Sequence, residues 1–129
     1  MSSLSPPRVV VADDSALMRS IVTSALHRAG VEVVGSARDG DEALALCERE
    51  RPDAMTLDLA MPGLDGGSVA EQLSQSGHRI PVIVVSADRH GAERARALGA
   101  AGFLAKPFDL TALVTLIEKV AVPPAARQA

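Results

Sequence analysis

A chain of 129 residues with 47% hydrophobic content is the length of one domain and apolar enough to bury one sizeable core. A formal net charge of -3 and a pI near 5.5 give no electrostatic footprint for a nucleic-acid backbone, so direct nucleic-acid binding is not expected. The single cysteine, Cys47, excludes an intrachain disulfide, and no Cys/His cluster has metal-ligand spacing, which together read as a reduced, cytoplasmic setting.

Residues 1–7 are Ser/Pro-rich and lack the basic and apolar regions of a secretory signal, so they read as a flexible N-terminus. From there, β-branched apolar runs alternate with segments of helical period, the pattern of a parallel sheet covered on both faces. Strands are predicted at Arg8 to Ala12, Val31 to Ala37, Ala54 to Leu57, Val82 to Ser86 and Gly102 to Ala105, the first and fourth apolar enough to sit centrally. The first helix, Ala16 to Ala29, aligns Leu17, Met18, Ile21, Val22, Ala25 and Leu26 as its inward stripe, and Gly30 ends it. The second runs from Gly40 to Glu50 ahead of Pro52, with Cys47 packing beside Ala43 and Leu44. The third spans Gly66 to Ser76 with Val69 and Leu73 inward. The fourth, between Gly91 and Leu98, is the weakest, because Ala92, Ala95 and Leu98 are its only inward candidates. The last, Asp109 to Val120, opens on a capping aspartate and repeats Leu110, Leu113, Val114 and Ile117 at helical spacing. Residues 8–121 thus form one α/β domain, and 122–129, with Pro123 and Pro124, read as a flexible tail or linker stub. No apolar run approaches the roughly 20 residues that cross a bilayer, so no membrane association is expected.

In open α/β sheets the site lies outside the carboxyl ends of the strands. On this reading Asp13 and Asp14 follow the first strand, Asp58 the third, Ser86 ends the fourth and Lys106 follows the fifth. Three carboxylates drawn together repel by several kcal/mol at intermediate dielectric, so the cluster calls for a cation, and hard oxygen ligands point to Mg²⁺, with Mn²⁺ able to substitute.

Asp13-Asp14-Ser15, Leu57-Asp58, the run Met61-Pro62-Gly63-Leu64-Asp65-Gly66, Ser86-Ala87 and Lys106-Pro107 stand in the order and at the strand ends of a known pattern. From Arg8 to Val120 the chain resembles the CheY-like receiver domains of bacterial response regulators, and its stretch Asp13 to Arg19 is similar to the receivers of chemotaxis methylesterases. The resemblance implies a flavodoxin-like (βα)5 three-layer sandwich whose five-stranded parallel sheet has the order 2-1-3-4-5. It implies that Asp58 accepts a phosphoryl group from the phosphohistidine of a histidine kinase or histidine phosphotransfer protein, or from acetyl phosphate. Asp14, Asp58, the backbone carbonyl of Ala60 and, through water, Asp13 would hold Mg²⁺, and Lys106 would pair with phosphoryl oxygens. Ser86 and Phe103 would move together and reshape the fourth helix, fifth strand and fifth helix, the face for an unknown downstream protein target and for a possible homodimer. Pro107 would follow a cis peptide bond, and Ala60 and Asp88 would tune the lifetime of the phosphorylated state.

The bland readings differ in strength. Asp13-Asp14 alone is the composition of a helix N-terminus. Ser86 alone could cap the next segment, and Phe103 reads equally as a half-buried packing residue or as a moving one. His27, His78 and His90 have no partner spacing and read as surface residues. Two other function classes compete. A phosphorylation-independent binding module on the same fold is the alternative, against which stands the full acid, hydroxyl and lysine set. Against a flavodoxin-like cofactor protein or a phosphohydrolase on a similar sheet stand a first loop without a phosphate cradle and Leu57-Asp58-Leu59-Ala60, which lacks the second acid of an Asp-based phosphohydrolase.

Overall fold

The computed structural model describes residues 5–61, 66–77 and 79–121. The expected tail 122–129, residues 62–65 of the run from Met61 to Gly66, and His78 lie outside the described residues, as do residues 1–4 of the N-terminus. Strands and helices alternate strictly: β1 (Arg8–Ala12), α1 (Ala16–Arg28), β2 (Glu32–Ala37), α2 (Gly40–Glu50), β3 (Ala54–Asp58), α3 (Gly66–Gln75), β4 (Val82–Ser86), α4 (Gly91–Ala97), β5 (Gly102–Ala105) and α5 (Leu110–Val120). The strands form one parallel sheet in the order β2-β1-β3-β4-β5, the flavodoxin-like arrangement that the resemblance implied.

Two apolar clusters flank the sheet. Val10, Ala12, Met55, Leu57 and Val84 pack against Ala43 and Cys47 of α2, Val69 and Leu73 of α3 and Ala95 of α4. Val9, Val11, Ala54, Ile83 and Val85 pack against Val22 and Leu26 of α1 and Leu113 and Ile117 of α5. The period of two along each strand sorts alternate side chains into these layers, which makes the three-layer sandwich. The strand at the centre is β3, flanked by β1 and β4. β3 is buried along its whole length although it carries Thr56 and Asp58.

Helix starts follow their capping residues. Ser15 Oγ accepts the Met18 amide at 3.2 Å, Asp39 Oδ1 that of Glu42 at 2.9 Å and Asp109 Oδ1 that of Thr111 at 2.9 Å. Gly30 after α1 has φ of +84°, a conformation that a Cβ would strain. No helix among the described residues is long and apolar enough to cross a membrane.

One expectation for α1 fails. Met18, Val22, Ala25 and Leu26 face the sheet, but Leu17 is 71% and Ile21 38% exposed. The predicted stripe was one row too wide. Residues 17 and 21 sit about 100° around the helix from 18 and 22, beyond the edge of the sheet contact.

Cys47 is fully buried, with its thiol 3.6 Å from the Met55 sulfur. Burial, aided by the neighbouring Glu48 carboxylate, pushes its pKa up to about 12. The thiolate is the reactive form, so native protein at neutral pH should leave a thiol reagent unconsumed while denatured protein consumes one equivalent. Rapid labelling of the native protein would contradict this placement.

Candidate functional site

The register of the sheet carries the polar side chains to one edge. Ala12 pairs with Leu57, so Asp13 and Asp58 follow at the same level, and Asp58 pairs in turn with Val85, one residue before Ser86. Ser86 pairs with Ala105, and its carbonyl accepts the Lys106 amide at 2.9 Å, which fixes where the lysine leaves the sheet. The Lys106–Pro107 peptide bond is cis.

Asp13 and Asp58 are buried, whereas Asp14 is exposed. One carboxylate oxygen from each of the three lies within 4.8 Å of the other two. Lys106 Nζ donates to Asp13 Oδ2 at 3.0 Å and stands 3.3 Å from Asp58 Oδ2, bridging the two buried acids. Burial alone would lower the Lys106 pKa, but its hydrogen bond to Asp13 and the charges of Asp58 and Asp13 outweigh burial and hold it above the usual lysine value. The second oxygens are held by backbone: Asp13 Oδ1 accepts the Ser15 amide and Asp58 Oδ1 the Ala60 amide, both at 2.9 Å. Each buried carboxylate therefore has one oxygen fixed by the chain and one turned to the ammonium.

A compact, partly exposed set of carboxylate oxygens is the donor chemistry of a hard divalent cation. Asp13, Asp14 and Asp58 could hold such an ion with one charge left to balance against Lys106. Ala60 touches Asp58 through its amide.

Ser86 is buried, and its Oγ accepts the Asp88 amide at 3.0 Å, leaving the hydroxyl proton as a donor. Asp88 turns the other way: Oδ1 accepts the His90 amide at 2.9 Å and Oδ2 stands 3.5 Å from Arg94 of α4. The His90 amide is the largest influence holding the Asp88 pKa below the usual carboxylate value, with the charges of His90 and Arg94 acting in the same direction. Phe103 is half-buried against the cluster that holds α2, α3 and α4. His27 and His90 are exposed.

Two contacts escaped sequence reasoning. Arg19 donates to the backbone carbonyl of Asp13 at 2.8 Å and so braces the loop that carries both acids. Its signal, a basic residue at the end of the first turn of a helix that starts beside acids, is too common to single out. The second is the Asp88–Arg94 pair across the start of α4. The groove of about 380 Å³ between α3, β4 and α4 lies at the opposite, amino edge and includes none of these side chains.

Residues 9–118 match the family described as the response regulator receiver domain. The chain is 40% identical over 115 residues to the transcriptional regulatory protein PdtaR of Mycobacterium tuberculosis, covering 88% of this chain and 56% of that protein. It is 42% identical over 134 residues to protein-glutamate methylesterase/protein-glutamine glutaminase 2 of Koribacter versatilis, covering 95% and 37% respectively. This chain thus spans about half of the first relative's length and about a third of the second's. Among solved structures, the signal receiver domain of the response regulator NarL from Mycobacterium tuberculosis superposes with a TM-score of 0.84 at 39% identity, covering 90% of this chain and 96% of that one. Matched along nearly its whole length by sequence and by fold, the chain belongs to the CheY-like response regulator receiver domains of two-component systems.

Proposed function

We propose that the chain is a phosphoacceptor switch in which Asp58 receives a phosphoryl group and the α4-β5-α5 face reports it to a protein partner. The observation that carries this reading is Lys106 Nζ bridging two buried carboxylates, Asp13 and Asp58, both of which belong to a three-acid cluster at the carboxyl edge of the sheet. An oxygen of Asp58 attacks the phosphorus of a phosphohistidine on a histidine kinase or histidine phosphotransfer protein, or of acetyl phosphate. The bond from phosphorus to the leaving group breaks, and an acyl phosphate forms. The Ala60 amide orients the Asp58 carboxylate, and the Lys106 ammonium neutralises charge on the phosphoryl oxygens.

Mg²⁺, or Mn²⁺ in its place, would be held by Asp13, Asp14, Asp58 and the Ala60 carbonyl, and when bound supplies charge neutralisation for transfer onto a site of like charge. Ser86 donates its hydroxyl to the attached phosphoryl group, an interaction that exists only after transfer and therefore shifts the population of loop and helix conformations. Phe103 follows Ser86, and a downstream protein or a second copy of the chain docks on the reshaped face. Ala60 and Asp88 tune hydrolysis, Asp88 through the loop to which its carboxylate is tied. The chain catalyses only its own phosphorylation and dephosphorylation, in the cytoplasm.

Incubation with Mg²⁺ and acetyl phosphate followed by intact-mass measurement is the test. Wild type should gain one phosphoryl group, and the gain should vanish with a chelator and in Asp58→Ala. A protein that no donor modifies would instead be a phosphorylation-independent binding module.

A further inference from the structure

We infer that Gly91, the first residue of α4, is a positioning residue for Phe103: the space left by its missing side chain is the seat that admits the Phe103 ring beside Ser86. A Cβ built on Gly91 would lie 2.9 Å from Cε1 and 3.0 Å from Cζ of Phe103, and 3.1 Å from Cβ of Ser86. Carbon atoms pack at about 3.5–4.0 Å, so a methyl group there does not fit the present arrangement. Three segments thus meet at one point, and only a glycine at position 91 permits it.

The sheet explains why these two side chains share that point. Phe103 is the cross-strand partner of Val84, and the period of two puts Val84 and Ser86 on the same face, the one covered by α4. Of the groups around a new methyl, the backbone has least room to retreat. The Gly91 amide is bonded to the Asp88 carbonyl at 2.9 Å, the Asp88 amide to Ser86 Oγ at 3.0 Å, and Ser86 itself ends a buried strand. The two ring atoms are the far end of a side chain that turns about χ1. A side chain at 91 therefore displaces chiefly the ring, while its 3.1 Å approach to Ser86 Cβ asks for an adjustment of only a few tenths of an ångström.

This inference rests on the reading of Ser86 and Phe103 as a coupled pair, and it adds the residue that sets where the ring can go. By controlling the seat, position 91 biases the conformations between which phosphorylation selects.

The chain has two phenylalanines, Phe103 and Phe108, and no tyrosine or tryptophan, so fluorophenylalanine labelling yields two ¹⁹F signals that Phe103→Leu assigns. In Gly91→Ala the Phe103 signal should shift and become more strongly broadened by a soluble gadolinium chelate, while the Phe108 signal stays where it is and acetyl phosphate still modifies Asp58. Adding beryllofluoride with Mg²⁺, which mimics the phosphoryl group, should move the Phe103 signal in wild type and move it less in the variant. An unmoved Phe103 signal in folded Gly91→Ala overturns the inference. A wild-type Phe103 signal indifferent to beryllofluoride that still binds at Asp58 would instead remove Phe103 from the switch, leaving the seat itself to be judged by the variant. Should Gly91→Ala fail to fold, Gly91→Ala with Phe103→Leu decides: recovery of the fold supports the clash with the ring, and continued failure refutes it.

Discussion

Asp58→Asn and Lys106→Met should both cripple phosphoryl uptake, yet in metal-free buffer the first should melt higher than wild type and the second lower. Asp58 and Asp13 are buried beside Asp14, and Lys106 is the ammonium between the first two. Asparagine at 58 keeps the oxygen that accepts the Ala60 amide but removes a buried charge that is repelled by two neighbours and attracted by one. At an effective dielectric near 20, unit charges about 4–5 Å apart interact by roughly 3–4 kcal/mol, so two repulsions together with the cost of burial outweigh the lost attraction. A gain on the order of 1 kcal/mol, or a rise of about 3–5 °C, is expected. Lys106→Met leaves two buried carboxylates without their partner. Such losses cost about 3–5 kcal/mol in full burial, and the partial exposure of the lysine reduces this to about 2–4, with Mg²⁺ restoring much of it. Its transfer rate should fall by about 10²–10³, the usual cost of losing a group that stabilises developing charge. The pH dependence has a definite sign. The folded Lys106 pKa is raised, so its contribution is fully present below the ordinary lysine value and is lost as pH rises through the folded value. The difference between wild type and Lys106→Met should therefore be flat through neutral pH and narrow only in strong alkali. Equal melting of the two proteins with chelator at pH 7 would show that the bridge contributes nothing.

The fold was legible because its signals were local and repeated. The strands were short runs rich in β-branched residues, three of the helices begin at a polar cap, and the strand ends predicted from these patterns agree with the observed ones to a residue. Apolarity alone did not reveal which strand is central. Thr56 and Asp58 make β3 look less buried than β1 or β4, although it lies between them, because the carboxyl edge spends a central position on the acid. That the four charged groups Asp13, Asp14, Asp58 and Lys106 converge followed from the rule that sites form at strand ends, and the structure brings them together. What sequence could not supply was direction. Asp88 faces His90 and Arg94, Arg19 reaches back to the Asp13 carbonyl, and Gly91 meets a ring from a strand eleven residues later, all of which depend on where helices sit on the sheet. The α1 stripe failed for the same reason: helical period groups Leu17 with Met18, and only the packing angle separates them.

That separation yields the second large effect: Leu17→Asp with Ile21→Asp should lower phosphoryl transfer from a histidine-phosphorylated protein by about a hundredfold in kcat/KM while leaving transfer from acetyl phosphate unchanged. Leu17 and Ile21 are the exposed large hydrophobics among the described residues and, being four apart, form one ridge on α1. The ridge begins three residues after Asp14, beside the edge where a protein donor must present its phosphohistidine to Asp58. On the proposed function, a small donor would reach that edge without touching α1, whereas a protein donor would cover it. Two apolar anchors worth about 1–1.5 kcal/mol each account for the hundredfold change. Because both side chains already face water, their replacement should alter folding stability by no more than about 0.5 kcal/mol, which separates a docking defect from a folding one. Transfer from the protein donor at the wild-type rate would reduce the ridge to ordinary surface exposure, for single apolar side chains are common on protein surfaces. A loss shared equally by acetyl phosphate would point to disturbance of the Asp13–Asp14 loop through the first turn of α1. Only the unequal loss identifies α1 as the face on which a phosphodonor protein sits.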